Sequence, residues 1–137
     1  MLKVGLTGGY ASGKSFVAAE LERRGCLVIY ADQVGHQVLE KSGEAYEPTV
    51  KTFGADILQP DGAIDRKKLA ATVFASAELL TALSSFVHPA VLRLEQQMLN
   101  SWEVQHPDGV AVIEAAILIE TGRYTAFDRM ILVACDP

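Results

Sequence analysis

The sequence has few cysteines and no excess of positive charge. Its 137 residues include only Cys26 and Cys135, which is too few for a disulfide framework in a chain of this size, so we expect both to be reduced. Lys and Arg number 12 against 17 Asp and Glu, for a net charge of -5. This acidic balance argues against a surface that wraps nucleic acid. It does not exclude a nucleotide ligand, whose phosphates need only a local positive pocket.

Long apolar runs are also missing. No segment approaches the roughly 18 apolar residues of a membrane span, and no apolar run follows a basic segment at the N-terminus, as in a signal peptide. Half of the residues are apolar and 21% are charged, which is typical of a globular domain in water. We therefore expect a cytoplasmic protein without a membrane or nucleic-acid partner, and the sequence leaves its oligomeric state open.

The most informative segment is rich in glycine. Residues 5–16 read GLTGGYASGKSF, and the spacing from Gly8 to Ser15 is G-x-x-x-x-G-K-S, the pattern of a phosphate-binding loop. A strand-like run precedes it, and a helical pattern and a second strand-like run follow it. This context favours a nucleoside triphosphate site over a flexible glycine loop. The pattern alone does not distinguish a GTPase, an ATPase motor and a small-molecule kinase.

Each residue type in this loop has a mechanical reason to be there. Gly8 allows a sharp turn off the strand, and Gly13 lets the backbone approach phosphates without a Cβ in the way. Inward N–H groups and the start of the next helix attract anions. Lys14 would bring a positive charge to the β- and γ-phosphates, and the Ser15 hydroxyl would ligate Mg²⁺. The predicted nucleotide-binding residues are Gly8, Gly9, Tyr10, Ala11, Ser12, Gly13, Lys14, Ser15 and Phe16.

The apolar runs predict an α/β fold with a parallel sheet. They lie at residues 2–7, 26–30, 110–113 and 129–135, and they are continuous rather than alternating, which is typical of strands covered on both faces. A turn-forming Pro-Asp-Gly at 107–109 precedes the third run. We predict a three-layer P-loop NTPase core with a helical insertion domain.

The insertion, at residues 33–106, has mostly helical patterns. We expect interruptions near Ser42-Gly43 and at Pro48, and a clear turn at Pro60-Asp61-Gly62. We also expect a kink or break at His88-Pro89, because the residue before a proline is disfavoured in a helix.

Two acidic residues follow predicted strands. Ligands of open parallel sheets lie at the carboxyl ends of the strands, where Gly8, Asp32 and Glu114 all fall. Asp32 could take a proton from an acceptor hydroxyl during phosphoryl transfer or cap the following helix, and spacing leaves both open. Glu114 could bind Mg²⁺ through a water molecule or be an acid at an exposed strand end.

Several stretches together resemble one family, dephospho-CoA kinase. They are GLTGGYASGKS at 5–15, IYAD at 29–32, FGADIL at 53–58, DGAIDR at 61–66 and HP at 88–89, with a weaker match in AILIE at 116–120. They run in the family's order and cover nearly all of the chain. The resemblance implies transfer of the γ-phosphoryl group of ATP, with Mg²⁺, to the 3′-hydroxyl of dephospho-CoA, the last step of coenzyme A biosynthesis. It implies a nucleotide-binding core at 1–32 and 107–137 and an acceptor-binding insertion at 33–106.

The resemblance also assigns roles to single residues. Asp32 matches the family's catalytic base, and Lys14 and Ser15 match its phosphate and magnesium residues. Arg66 and His88 match positions near the acceptor, although Arg66 could equally be a surface charge and His88 a residue held by packing. His36 could contact the acceptor or be a helical surface residue.

The chain departs from the family pattern in sequence and in length. Phe16 replaces a threonine, Tyr30 replaces the first acid of D-A-D, and Ala116 replaces a proline. Family members continue beyond position 137 with a lid helix and further elements. We therefore expect the chain to be truncated and residues 1–137 alone to have little or no turnover.

Two other functions stay open at this stage. One is a different small-molecule P-loop kinase, of the nucleoside monophosphate or shikimate type. The other is a truncated, non-catalytic nucleotide-binding module. A regulatory GTPase is disfavoured because the sequence has no N-K-x-D segment for reading the base.

Overall fold

The chain forms two compact units. The computed structural model describes residues 1–9, 13–115 and 123–134. The first unit contains residues 1–32 and 96–137, and the second contains residues 33–95. Over the described parts of the chain, no helix is both long enough and apolar enough to cross a membrane.

The first unit contains a four-stranded sheet in which every neighbouring pair is parallel. The elements are β1 (Leu2–Gly8), α1 (Lys14–Arg23), β2 (Leu27–Tyr30), β3 (Val110–Glu114) and β4 (Arg129–Val133). The strand order is β2-β3-β1-β4, and α1 connects β1 to β2. The predicted α/β fold with a parallel sheet is confirmed.

One face of this sheet packs on α1. Val4, Leu6 and Val112 form a buried cluster with Ala18 of the helix. Residues two apart on a strand point to the same face, so the face that carries Val112 also carries Glu114, the last residue of β3. The sheet thereby directs an acid toward the side on which α1 begins.

The strand β4 differs from the prediction that every strand is covered on both faces. It ends at Val133, and Cys135 of the predicted strand lies outside the described residues. Leu132 is 64% exposed. The physical reason is position, because β4 is at the edge of the sheet and pairs only with β1 among the described strands.

The second unit is helical and has its own core. Its elements are most of α2 (Ala31–Val38), α3 (Tyr46–Phe53), a 3-10 turn at Ala55–Ile57, α4 (Arg66–Phe74) and the first part of α5 (Ala77–Gln105). Ile57, Ile64, Leu69 and Val73 form one buried cluster in it. The predicted insertion ended at residue 106, whereas residues 96–105 of α5 group with the sheet. The contact from the Met1 ammonium to the Pro107 carbonyl, at 2.7 Å, lies in that sheet unit.

The turn predicted at residues 60–62 is confirmed. Leu58 and Ile64 pair across it as an antiparallel bridge, and Gly62 has a φ of 88°, a left-handed value that favours glycine. The Tyr46 hydroxyl donates a hydrogen bond to the Gly62 carbonyl at 2.5 Å. The turn therefore closes against α3 in the same unit.

One prediction about prolines was wrong, and a second is narrowed, because the break that was one of two outcomes expected at His88-Pro89 is absent. Pro48 does not interrupt a helix, because it is the third residue of α3, in the first turn, where a backbone N–H has no partner within the helix to lose. The interruption covers residues 39–45 instead, including Ser42-Gly43. Pro89 does not break α5, which is continuous from Ala77 to Gln105. Ala90 and Val91, which follow Pro89, are buried, and this packing offsets the hydrogen bond that proline removes.

Candidate active site

The glycine-rich loop joins the end of a central strand to the start of a helix. Gly8 is the last residue of β1, and Gly13 is the N-cap of α1 with φ 94° and ψ 8°. This left-handed conformation favours glycine, since a Cβ makes it costly. The predicted residues Tyr10, Ala11 and Ser12 lie outside the described residues. Gly13 therefore has a conformational requirement beyond the close approach to phosphates that the sequence suggested.

The N-terminus of α1 is suited to an anion. No side chain of the described residues caps it, and its first turn contains no acidic residue. Its unpaired N–H groups and its helix dipole present a partial positive charge. Ser15 is exposed, and Phe16 is 77% exposed. The helix start that the sequence predicted for phosphates is therefore accessible.

Lys14 forms an ion pair with Glu114. Its Nζ lies 2.7 Å from Oε1 of the glutamate, and the two side chains are only 16% and 13% exposed. Glu114 is thus not an acid at an exposed strand end, which was one of its two predicted readings. The strand order explains this, because β3 lies directly beside β1 and pairs Glu114 with Leu6.

Tyr30 is the neighbour of Glu114 on the other side. The register of β2 and β3 pairs these two residues, and Tyr30 packs against the cluster under α1. Burial raises the pKa of the Tyr30 phenol, as do a hydrogen bond to Glu22 and the charges of Glu22 and Glu114. Glu22 and Glu114 are thus negative charges close to Tyr30, and the Lys14 ammonium pairs with one of them, Glu114.

Asp32 lies just past the end of β2. Helix α2 begins at Ala31, so Asp32 is inside its first turn rather than at the cap position. Its side chain is exposed. This placement does not support the capping role that the sequence left open, and it leaves the carboxylate accessible at the sheet edge where Gly8 and Glu114 also end their strands.

The side chains at this edge fit a magnesium ion that arrives with a nucleotide. Mg²⁺ takes oxygen ligands and usually keeps several waters, bound through one or two protein groups and substrate phosphates. Ser15, Asp32 and Glu114 offer oxygen atoms of the required kind. Among the described residues no group of three or more His, Cys, Asp or Glu forms a site for a metal ion on its own. The donor set is therefore that of a metal shared with phosphates.

The second unit has a cavity of its own. Its volume is about 210 Å³, and its lining includes His36 and Arg66, which the sequence nominated for acceptor binding, together with Glu40. Apolar residues Leu39 and Ile64 also contribute. His88, the third nominated residue, is exposed on α5 and is not in this lining. The structure thus brings two of the three nominated residues together.

The Lys14–Glu114 pair is a feature that sequence reasoning missed. The two residues are a hundred positions apart, and no local spacing links them. The signal would have been the strand order, since an acid ending the strand next to β1 must lie close to the helix that follows β1.

Comparison with known proteins identifies the family. The family model for dephospho-CoA kinase matches residues 2–137. The dephospho-CoA kinase of Geobacter metallireducens is 42% identical over 137 residues, covering 99% of this chain and 67% of that protein. That of Syntrophus aciditrophicus is 39% identical over 137 residues and covers all of this chain. The chain spans 58% of the length of the Syntrophus protein.

Solved structures agree in fold. A crystal structure of a Thermus thermophilus protein superposes with a TM-score of 0.80 at 32% identity, covering 97% of this chain and 65% of that one. The dephospho-CoA kinase of Campylobacter jejuni superposes with a TM-score of 0.68 at 23% identity, covering 95% of this chain and 63% of that one, and this similarity concerns the fold. The chain belongs to the dephospho-CoA kinase family.

Proposed function

We propose that this protein transfers the γ-phosphoryl group of ATP to the 3′-hydroxyl of dephospho-CoA. The observation that carries the proposal is the combination, at the carboxyl ends of the strands, of a helix N-terminus without a described side-chain cap, the lysine that opens that helix, and an exposed aspartate in the first turn of α2. Family membership supplies the two substrates. The same edge offers a donor site and a base for an acceptor hydroxyl.

The donor half acts by electrostatics. Backbone N–H groups at the start of α1 hold phosphate oxygens, and Lys14 neutralises charge on the β- and γ-phosphates as the bond to the leaving oxygen lengthens. Mg²⁺, when bound with ATP, neutralises further charge on these oxygens. Ser15, with Asp32 or Glu114, would hold it directly or through water.

Phosphoryl transfer to the acceptor needs a base and a site that binds the acceptor. The Asp32 carboxylate takes the proton of the 3′-hydroxyl as that oxygen attacks the γ-phosphorus. The cavity with His36 and Arg66 is a candidate acceptor-binding site within the second unit, because a guanidinium binds phosphate oxygens through paired hydrogen bonds. His88 stays a prediction that this cavity does not support.

The test is an ADP-release assay on the complete protein with three acceptors. Dephospho-CoA should be turned over, whereas AMP and shikimate should not. If AMP or shikimate were turned over as fast as dephospho-CoA or faster, the proposed acceptor would be wrong. Binding of ATP without transfer to any of the three would instead indicate a non-catalytic nucleotide-binding module.

The role of Asp32 is tested by Asp32→Asn in the same assay. Loss of the base should reduce transfer by a factor on the order of 10² to 10⁴ and leave ATP binding almost unchanged. Asp108→Asn is the matched control, because Asp108 is also exposed but lies in the turn before β3. Normal turnover of Asp32→Asn would show that another group takes the proton.

A further inference from the structure

The ion pair between Lys14 and Glu114 has a consequence for which nucleotide species can bind. The lysine that would contact phosphates already holds a carboxylate at 2.7 Å, and neither side chain is more than 16% exposed. A low exposure strengthens the attraction between the charges and makes an unpaired charge costly. When a phosphate binds Lys14 and breaks this ion pair, Glu114 therefore needs another positive partner.

The position of Glu114 is set by the sheet. It is paired in register with Leu6, which is fully buried, and with Tyr30. It is also the last residue of β3, and the three residues before it are buried. The lysine has the longer and more flexible chain, so it is the lysine that can turn toward a ligand while the carboxylate stays in place.

We propose that Glu114 is a positioning residue that holds Lys14 until a nucleotide binds and makes polyphosphate binding depend on a divalent cation. Without a cation, the triphosphate and Glu114 compete for one lysine and also repel each other. With a cation on the nucleotide, Glu114 has a second positive partner, so Lys14 can turn to the phosphates without leaving an unpaired carboxylate. This inference rests on the proposed binding of ATP at the loop.

The experiment measures the Kd of ATP by titration calorimetry, once with EDTA and once with excess Mg²⁺. In Glu114→Gln, the metal-free Kd should fall about tenfold, the size expected when a close charge pair of this kind is removed. The ratio of metal-free to magnesium Kd should shrink accordingly. Glu114→Asp keeps the charge on a chain one methylene shorter, and its metal-free Kd should lie between those of the wild type and Glu114→Gln.

Two further variants separate competition for the lysine from general charge effects. Glu22→Gln removes an acid that also raises the pKa of Tyr30 but is exposed on α1. This variant should change the ratio of metal-free to magnesium Kd by less than about twofold. In a Lys14→Met background, Glu114→Gln should improve metal-free binding much less than in the wild type, because there is no lysine left to release.

The results of these titrations distinguish a failure of the inference from a failure of the proposed function. If wild-type protein binds ATP with Mg²⁺ and Lys14→Met weakens that binding, the loop is the site. An unchanged or higher metal-free Kd in Glu114→Gln then overturns the inference alone. If wild-type protein binds no ATP in either condition, both the inference and the proposed function are wrong.

Discussion

Replacing Gly13 by alanine separates two reasons for glycine at that position. One is the backbone, since Gly13 has φ 94°. The other is space for phosphates, as the sequence pattern suggested. Among the described residues, the nearest heavy atom that a Cβ added to Gly13 would meet is Val133 Cγ1, at 4.0 Å, so the fold has room for the methyl group there. The loss of stability should therefore come from backbone conformation alone.

The magnitude follows from two opposing terms. An L-residue in the left-handed region costs about 1–2 kcal/mol. Alanine also restricts the unfolded chain, which returns about 0.4–1 kcal/mol. The free energy of unfolding should fall by about 1 kcal/mol, which in a chain of this size lowers Tm by roughly 4 °C.

The chain offers a closely matched control in Gly25. It has φ 93°, and a Cβ there meets no heavy atom of the described part of the chain within 4 Å. It follows the C-terminus of α1, at the opposite end from Gly13. Gly25→Ala should cost the same stability within about 0.5 kcal/mol and leave ATP binding unchanged.

The assay pairs urea denaturation with ATP titration for both variants. Gly13→Ala should raise the Kd of magnesium-bound ATP at least about tenfold, because a methyl group then stands where the backbone meets phosphate oxygens. Equal ATP affinity in both variants would refute the claim that phosphates approach Gly13. A stability loss of several kcal/mol in Gly13→Ala but not in Gly25→Ala would contradict the inference that a Cβ at Gly13 has room.

Two further predictions concern stability. Asp65 caps α4 by accepting hydrogen bonds from the backbone N–H of Lys67 at 3.0 Å and of Lys68 at 3.2 Å, so Asp65→Ala should lower the free energy of unfolding by about 1 kcal/mol, while Asp65→Asn should retain most of it. The raised pKa of Tyr30 means that the folded state favours the neutral phenol. Its stabilising contribution is present below the unfolded pKa of 10.0 and is lost as pH rises through the folded pKa. Denaturation from about pH 9 to about pH 11 should show a steeper fall for the wild type than for Tyr30→Phe, and equal slopes would contradict this assignment.

Local patterns predicted the loop and the sheet because their causes are local. The glycine spacing, the strand-like runs and the turn at residues 60–62 each depend on a few neighbouring residues. The prolines show the limit of such rules. Pro48 was predicted to interrupt a helix and His88-Pro89 to kink or break one. Pro48 instead occupies a helical first turn, and α5 continues through Pro89 to the buried Ala90 and Val91. Position and packing decide the effect of proline, and the sequence alone reveals neither.

The sequence did not reveal the strand order, which decides which side chains meet at the site. The carboxyl-end rule placed Asp32 and Glu114 at one edge, but it did not say which strand lies beside β1. The order β2-β3-β1-β4 puts Glu114 next to the loop and so in reach of Lys14. The pairing of strands far apart in sequence depends on tertiary contacts, which is why this ion pair was not predicted.

The surroundings of Tyr30 are compatible with a phenol at a position where the resemblance to dephospho-CoA kinases led us to expect an acid. Tyr30 lies beside Glu114 in the sheet, and burial together with the nearby Glu22 and Glu114 raises the pKa of its phenol. A carboxylate at position 30 would add a third negative charge to a row that already raises the pKa of the phenol, and its own ionisation would be disfavoured. A neutral phenol leaves Glu114 as the carboxylate that Lys14 contacts at 2.7 Å. The departure at Tyr30 is therefore consistent with an intact phosphate site, because it removes a competitor for the lysine and leaves Asp32, two residues later, accessible.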